Sequence, residues 1–87
     1  MQEKVIQAAK EAVIKVAYSK IDKNEKLSPE SKEFLKEVAN SLIDKAFIRL
    51  KDEYQKLTQK EIEDDMNQIV DDQINTVMGS YLKMQKK

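Results

Sequence analysis

Apolar residues recur at three- and four-residue intervals in three separate stretches of this chain, with polar residues between them. The first stretch carries Val5, Ile6, Ala9, Ala12, Val13, Val16 and Ala17, the i, i+3, i+4, i+7 spacing of an amphipathic helix. Lys4, Lys10, Glu11 and Lys15 fall largely outside that stripe. Its lysines raise the alternative of a helix lying on a membrane surface. The apolar face lacks the bulky aromatics of an interfacial helix, so burial against neighbouring helices is the expectation.

Asp22 to Lys26 holds five polar residues without periodicity and reads as a loop. Ser28 is placed to cap the next helix, and Pro29 suits its first position, where a missing N–H costs nothing. Glu30 and Glu33 then lie in the first turns, where the helix dipole favours negative charge. The stripe that follows includes Leu35, Val38, Ala39, Leu42, Ile43, Ala46, Phe47, Leu50, Tyr54 and Leu57, and Phe34 and Ile48 widen it. No glycine or proline interrupts Pro29 to Lys56, a span of about 42 Å as one helix. An apolar band on more than one face predicts the central helix of a small bundle.

Thr58 and Glu61 have the spacing of a capping box. Beyond them Ile62, Met66, Ile69, Val70, Ile74, Val77, Met78, Tyr81 and Leu82 form a third stripe, with Gly79 near its end. The pattern predicts one all-α domain over residues 1–87, with helices near 2–20, 29–56 and 59–84 and a long central helix. Its arrangement is either histone-fold-like or a three-helix bundle. The candidate core or partner interface is Leu35, Val38, Leu42, Ala46, Phe47, Leu50, Tyr54, Ile62, Met66 and Ile69.

Composition narrows the chemistry. The 87 residues include one glycine, one proline, no cysteine and no histidine. Disulfides and zinc–thiolate sites are thereby excluded, and the commonest general base and metal ligand is missing. Serines 19, 28, 31, 41 and 80 have no histidine to activate them, and one glycine cannot build a phosphate loop. No catalytic residue, cofactor or small-molecule substrate is expected. Sixteen basic and sixteen acidic residues cancel, so no net field draws the chain to nucleic acid. No run of about 20 apolar residues is present to span a bilayer, and the lysine-studded beginning does not resemble a signal peptide. A soluble intracellular protein is the expectation.

Charge is nevertheless uneven. Residues 58–80 carry six acids against Lys60 alone, and Glu61, Asp65, Gln68 and Asp72 share one helical flank. A single helix cannot surround a divalent ion, so a solvated face that suits the helix N-terminus is the expectation, with no metal. Residues 1–26 hold six lysines against four acids, and Lys83, Lys86 and Lys87 close the chain. Lys20, Lys23 and Lys26, assigned to the first loop, and Arg49 are the candidate DNA contacts. Met66, Met78 and Met84 read as adaptable core filler.

The succession of helix, loop, long helix, two-residue joint and third helix resembles the histone fold, and most closely the centromere protein X type of that superfamily. The likeness runs from about Val13 to Asp72, through "DKNEKLSPES", "DKAFIRL" and "LTQKEIEDDMNQIVDD". The matching positions are Lys26 and Ser28, Ala46 and Arg49, and Ile62 and Glu63. Tyr54-Gln55-Lys56-Leu57 stands where such proteins carry an arginine before the joint, and the third stripe continues to Leu82. The resemblance implies a nuclear subunit that dimerises through its central helix with a second copy or a centromere protein S-like partner. It also implies duplex DNA binding only within the assembled complex. The other expectation, from the residues alone, is a self-contained bundle that binds a protein, as a small regulator or an antitoxin-like or phage-encoded inhibitor does.

Overall fold

The computed structural model describes residues 2–85 and contains three helices: α1 (Gln2–Asp22), α2 (Pro29–Tyr54) and α3 (Gln59–Gln85). No strand occurs among the described residues. Lys86 and Lys87, counted among the basic residues of the tail, lie outside them.

Local chemistry sets each helix boundary. α1 runs two residues past its expected end, adding Ile21 and Asp22, and Lys20, assigned to the first loop, lies in its last turn. Asn24 then turns the chain, accepting from Lys26 N at 3.0 Å through its side chain and from Leu27 N at 3.2 Å through its carbonyl. Leu27, only 5% exposed, drops from that turn into the core. Ser28 caps α2 as expected, its Oγ accepting from Ser31 N at 3.1 Å, with Pro29 in the first turn.

α2 stops at Tyr54, two residues before Lys56. Lys56 N and Leu57 N reach back three residues, to Glu53 O and Tyr54 O, and tighten the last turn. The next amide, Thr58 N–H, is held by Glu61 Oε1 at 3.0 Å and so cannot extend α2. Glu61 N donates in return to Thr58 Oγ1 at 3.2 Å, which completes the capping box of α3.

Cross-helix bonds define the topology. Lys10 pairs with Asp44 while Asp22 pairs with Lys36, so α1 and α2 are antiparallel. Tyr54 bonds Asp65 while Ser31 bonds Tyr81, so α2 and α3 are antiparallel too. Lys20 meets Asp71 and Asn24 meets Met78, which leaves α1 and α3 parallel. The result is an up-down-up bundle whose Cα trace measures 48 × 18 × 16 Å.

The long second helix has 26 residues and α3 has 27, but α1 is the helix that both others pack against, and α2 and α3 touch each other least. Ala9, Val13 and Ala17 on one α1 stripe are at most 2% exposed. Small side chains there let two neighbours approach closely. Ile6 and Ile21 extend the stripe, and Leu35, Ala39, Ile43, Ala46, Phe47 and Tyr54 answer it from α2. Ile62, Met66, Val70 and Ile74 do so from α3. Val16, expected on the buried stripe, is 40% exposed. No helix among the described residues is long and apolar enough to cross a membrane.

Candidate functional site

The three seams between helices are closed to different degrees. The α1–α2 seam is bridged by the Lys10–Asp44 ion pair and by Lys36, whose ammonium lies 2.8 Å from Asp22 and 5.6 Å from the centre of the Tyr18 ring. Lys32 Nζ donates to the Asp22 carbonyl at 2.8 Å. The hydrogen bond to Asp22 holds the Lys36 ammonium above its ordinary pKa. A cleft on this face, lined in part by Phe47, Ile48 and Lys51, is spanned by the Lys10–Asp44 pair. The α1–α3 seam is crossed by Lys20–Asp71 and by Asn24 Nδ2, 3.5 Å from Met78 Sδ.

Among the described residues, the α2–α3 seam is fastened towards its ends. At one end the Tyr54 hydroxyl donates to Asp65 Oδ2 at 2.8 Å, and the Tyr54 ring meets Phe47 edge-on with centroids 5.6 Å apart. Burial, followed by the Asp65 hydrogen bond, pushes the Tyr54 phenol well above its usual pKa. At the other end Ser31, buried beside its cap, shares a 2.8 Å hydrogen bond with the Tyr81 hydroxyl. Phe34 stacks on Tyr81 at 5.7 Å there and remains 49% exposed.

Between those fastenings the helices part and leave a groove. One stretch, about 240 Å³, is lined by Leu42, Lys45, Ala46, Arg49 and Gln73. The next, about 320 Å³, passes Leu42, Asp72, Gln73, Thr76 and Val77. Leu42, Ala46 and Val77 give the groove an apolar lining interrupted by Gln73, and its walls differ in charge, with Lys45 and Arg49 on α2 and Asp72 on α3. The Gln73 Oε1 is shielded from solvent and accepts no hydrogen bond, a condition that costs roughly 1–3 kcal/mol.

The expected interface residues divide accordingly. Leu35, Ala46, Phe47, Tyr54, Ile62 and Met66 are core residues, and half-buried Leu50 packs against them. Val38, Leu42 and Ile69 are also half-buried, but they lie outside the core cluster and its packed neighbours among the described residues. Leu42 sits in the groove, with Val38 one turn along α2 and Ile69 one turn before Gln73 on α3. Helical periodicity missed Gln73 and Ser31, because neither polar residue belongs to an apolar stripe. Ile21, four residues beyond Ala17, was within its reach.

The candidate DNA contacts are not gathered on this chain. Lys20 belongs to the last turn of α1, not to the loop, and is paired with Asp71. Lys23 and Lys26 stand exposed at the α1–α2 turn, in no ion pair among the described residues. Arg49 lies twenty residues into α2, about 30 Å along the helix from that turn.

The acidic flank is divided as well. Glu61, Asp64, Asp65 and Gln68 surround a shallow pocket beside Tyr54 and Leu57. Glu61 is engaged by the Thr58 backbone N–H and hydroxyl, which lower its pKa, and Asp65 accepts from Tyr54. No acidic group among the described residues has the geometry to hold a metal ion. Comparison of the chain with family models, curated proteins and solved structures finds no significant match.

Proposed function

We propose that this chain is a non-catalytic interaction module that binds a protein through the α2–α3 groove. The observation that carries it is the seam itself. Leu42 and Val77 line a partly solvent-facing strip between a basic and an acidic wall, while both seams of α1 are bridged. A seam that only stabilised the monomer would be expected to close over its hydrophobes. The absence of histidine and cysteine from the sequence agrees with a binding role.

Membership of a DNA-binding complex, as a histone-fold-like subunit, draws support from the order of helices and from exposed Lys23 and Lys26. The slender bundle, with 21 residues of α1 laid along both other helices, favours the self-contained protein-binding form. Two or three loop lysines are also few beside the six to ten phosphate contacts of a strong DNA binder.

The test is a photo-crosslinking residue placed at position 42, with position 48 as control. Ile48 is 76% exposed and lies on the α1–α2 face. Protein adducts from position 42 and none from 48 are expected in the native cell extract. Absence of adducts at 42, or equal yield at both positions, would overturn the assignment.

A further inference from the structure

We propose that the occupant of this groove is a second copy of the chain, related by a twofold axis that runs along the groove. Each α2 then lies against the α3 of the other copy. The proposal rests on the partner face assigned above and deepens it by naming the partner.

Charge selects both the partner and the axis. The α2 wall carries Lys45 and Arg49, and the α3 wall carries Asp72, so the face holds both halves of a complementary pair. The Tyr54–Asp65 and Ser31–Tyr81 bonds set the antiparallel register of the two walls. In that register Lys45 is level with Asp72, and Arg49 is level with Gln68, one turn from Asp65. A rotation about an axis parallel to the groove preserves height along the bundle. It therefore sets Lys45 of one copy opposite Asp72 of the other, and does so twice. A twofold axis across the helices would place Lys45 and Arg49 against themselves and Asp72 against Asp72. Like charges facing one another oppose association, whereas complementary walls favour it.

The same contact covers the side chains that the monomer leaves half-exposed. Leu42, Val38, Ile69 and Val77 would form the dry centre, with the charged walls as its rim. Gln73, whose Oε1 accepts no hydrogen bond within the chain, lines both stretches of the groove and so lies within this contact.

The experiment is sedimentation equilibrium on the full chain and two variants, over a wide concentration range and at low and high salt. Lys45, Arg49 and Asp72 are all exposed, so helical content by circular dichroism should be unchanged in the variants. The wild type is expected to reach twice its chain mass, less readily at high salt. K45E/R49E should remain a monomer, because position 45 then sets an acid against Asp72 and position 49 sets one against the stretch of α3 beside Asp65. Adding D72K to that variant should restore the dimer, because the pair at positions 45 and 72 is re-formed with its signs exchanged. A dimer that survives K45E/R49E, or a triple variant that stays monomeric beside a dimeric wild type, would refute the paired walls. A wild type monomeric throughout, with position 42 crosslinking to a different protein, would refute self-association and leave the interaction face standing. No adduct of any kind at position 42 would remove both.

Discussion

The α1–α2 and α1–α3 seams are bridged by ion pairs, the first across a cleft of about 360 Å³, whereas the α2–α3 seam parts between its two end fastenings. α1 presents alanine, valine and alanine where its neighbours approach, and salt bridges span its edges. α2 and α3 instead set Leu42 beside Gln73 and place Lys45, Arg49 and Asp72 at the mouth of the gap. Small residues allow a close, dry contact. Long polar residues hold the backbones apart and keep water near. The width of an apolar stripe therefore says how many faces a helix wishes to cover, and the size and charge of the flanking residues say which face this chain covers by itself.

The largest expected contrast is between two adjacent residues. Ile43 is fully buried and Leu42 is half-buried in the groove. Ile43→Ala should cost about 2–5 kcal/mol, and Leu42→Ala about 1 kcal/mol, measured by urea denaturation at a concentration where the chain is monomeric. Equal losses would mean that the α2–α3 seam is as tightly shut in solution as the α1 seams.

Next in size is the fastening at the Tyr81 end of the groove. Ser28→Ala removes the α2 cap and one link of the Ser28–Ser31–Tyr81 hydroxyl chain. A loss of about 1 kcal/mol is expected, with faster amide exchange in the first turn of α2. An unchanged melting curve would show that Ser31 and Tyr81 hold that end without the cap.

The opposite fastening has a pH signature. Tyr54 keeps its proton in the folded chain at pH values where the unfolded chain has lost it. Its contribution is therefore complete below the ordinary tyrosine pKa, about 10, and declines as pH rises towards the elevated folded value. Tyr54→Phe should flatten this alkaline decline. Glu61 acts in the opposite sense, since its folded pKa is lowered by Thr58. Its contribution is present above the ordinary carboxylate pKa and disappears as pH falls through the depressed value. Persistence of the full alkaline decline in Tyr54→Phe would assign it to other groups.

The smallest effect should come from the bridge over the α1–α3 seam. Lys20→Ala breaks an ion pair whose side chains are 47% and 37% exposed. A loss of roughly 0.2–1 kcal/mol is expected, shrinking further in salt. A much larger loss in a thermal melt would mean that the bridge, and not the alanine–valine stripe beneath it, closes that seam.

Much of the architecture was legible because its signals are local. Ser28-Pro29 and Thr58 to Glu61 act within a few residues of themselves, and the helix boundaries fall within two residues of expectation. The place of α1 between its neighbours was not legible, because it depends on how three stripes meet in space. Lys20 was counted with the loop lysines although the expected helix reached it, and its partner Asp71, 51 residues away, has no local signature. Val38, Leu42 and Ile69 have the same spacing as true core residues. Only the separation of α2 from α3, which no single helix records, distinguishes them.

The parallel contact of α1 with α3 has a consequence for how the chain is made. These helices pack together although all of α2 separates them in the sequence. During synthesis, α1 and α2 emerge first as a hairpin whose α3-facing sides remain wet. Neither Ile62, Met66, Val70 nor Ile74 is yet present to cover them. An isolated helical pair of this kind gains too little from burial to offset the ordering of its backbone. Folding should therefore wait for α3 and then proceed in one cooperative step. A ribosome stalled before Ile74 has emerged would hold a protease-sensitive chain, and emergence of all of α3 would make it resistant.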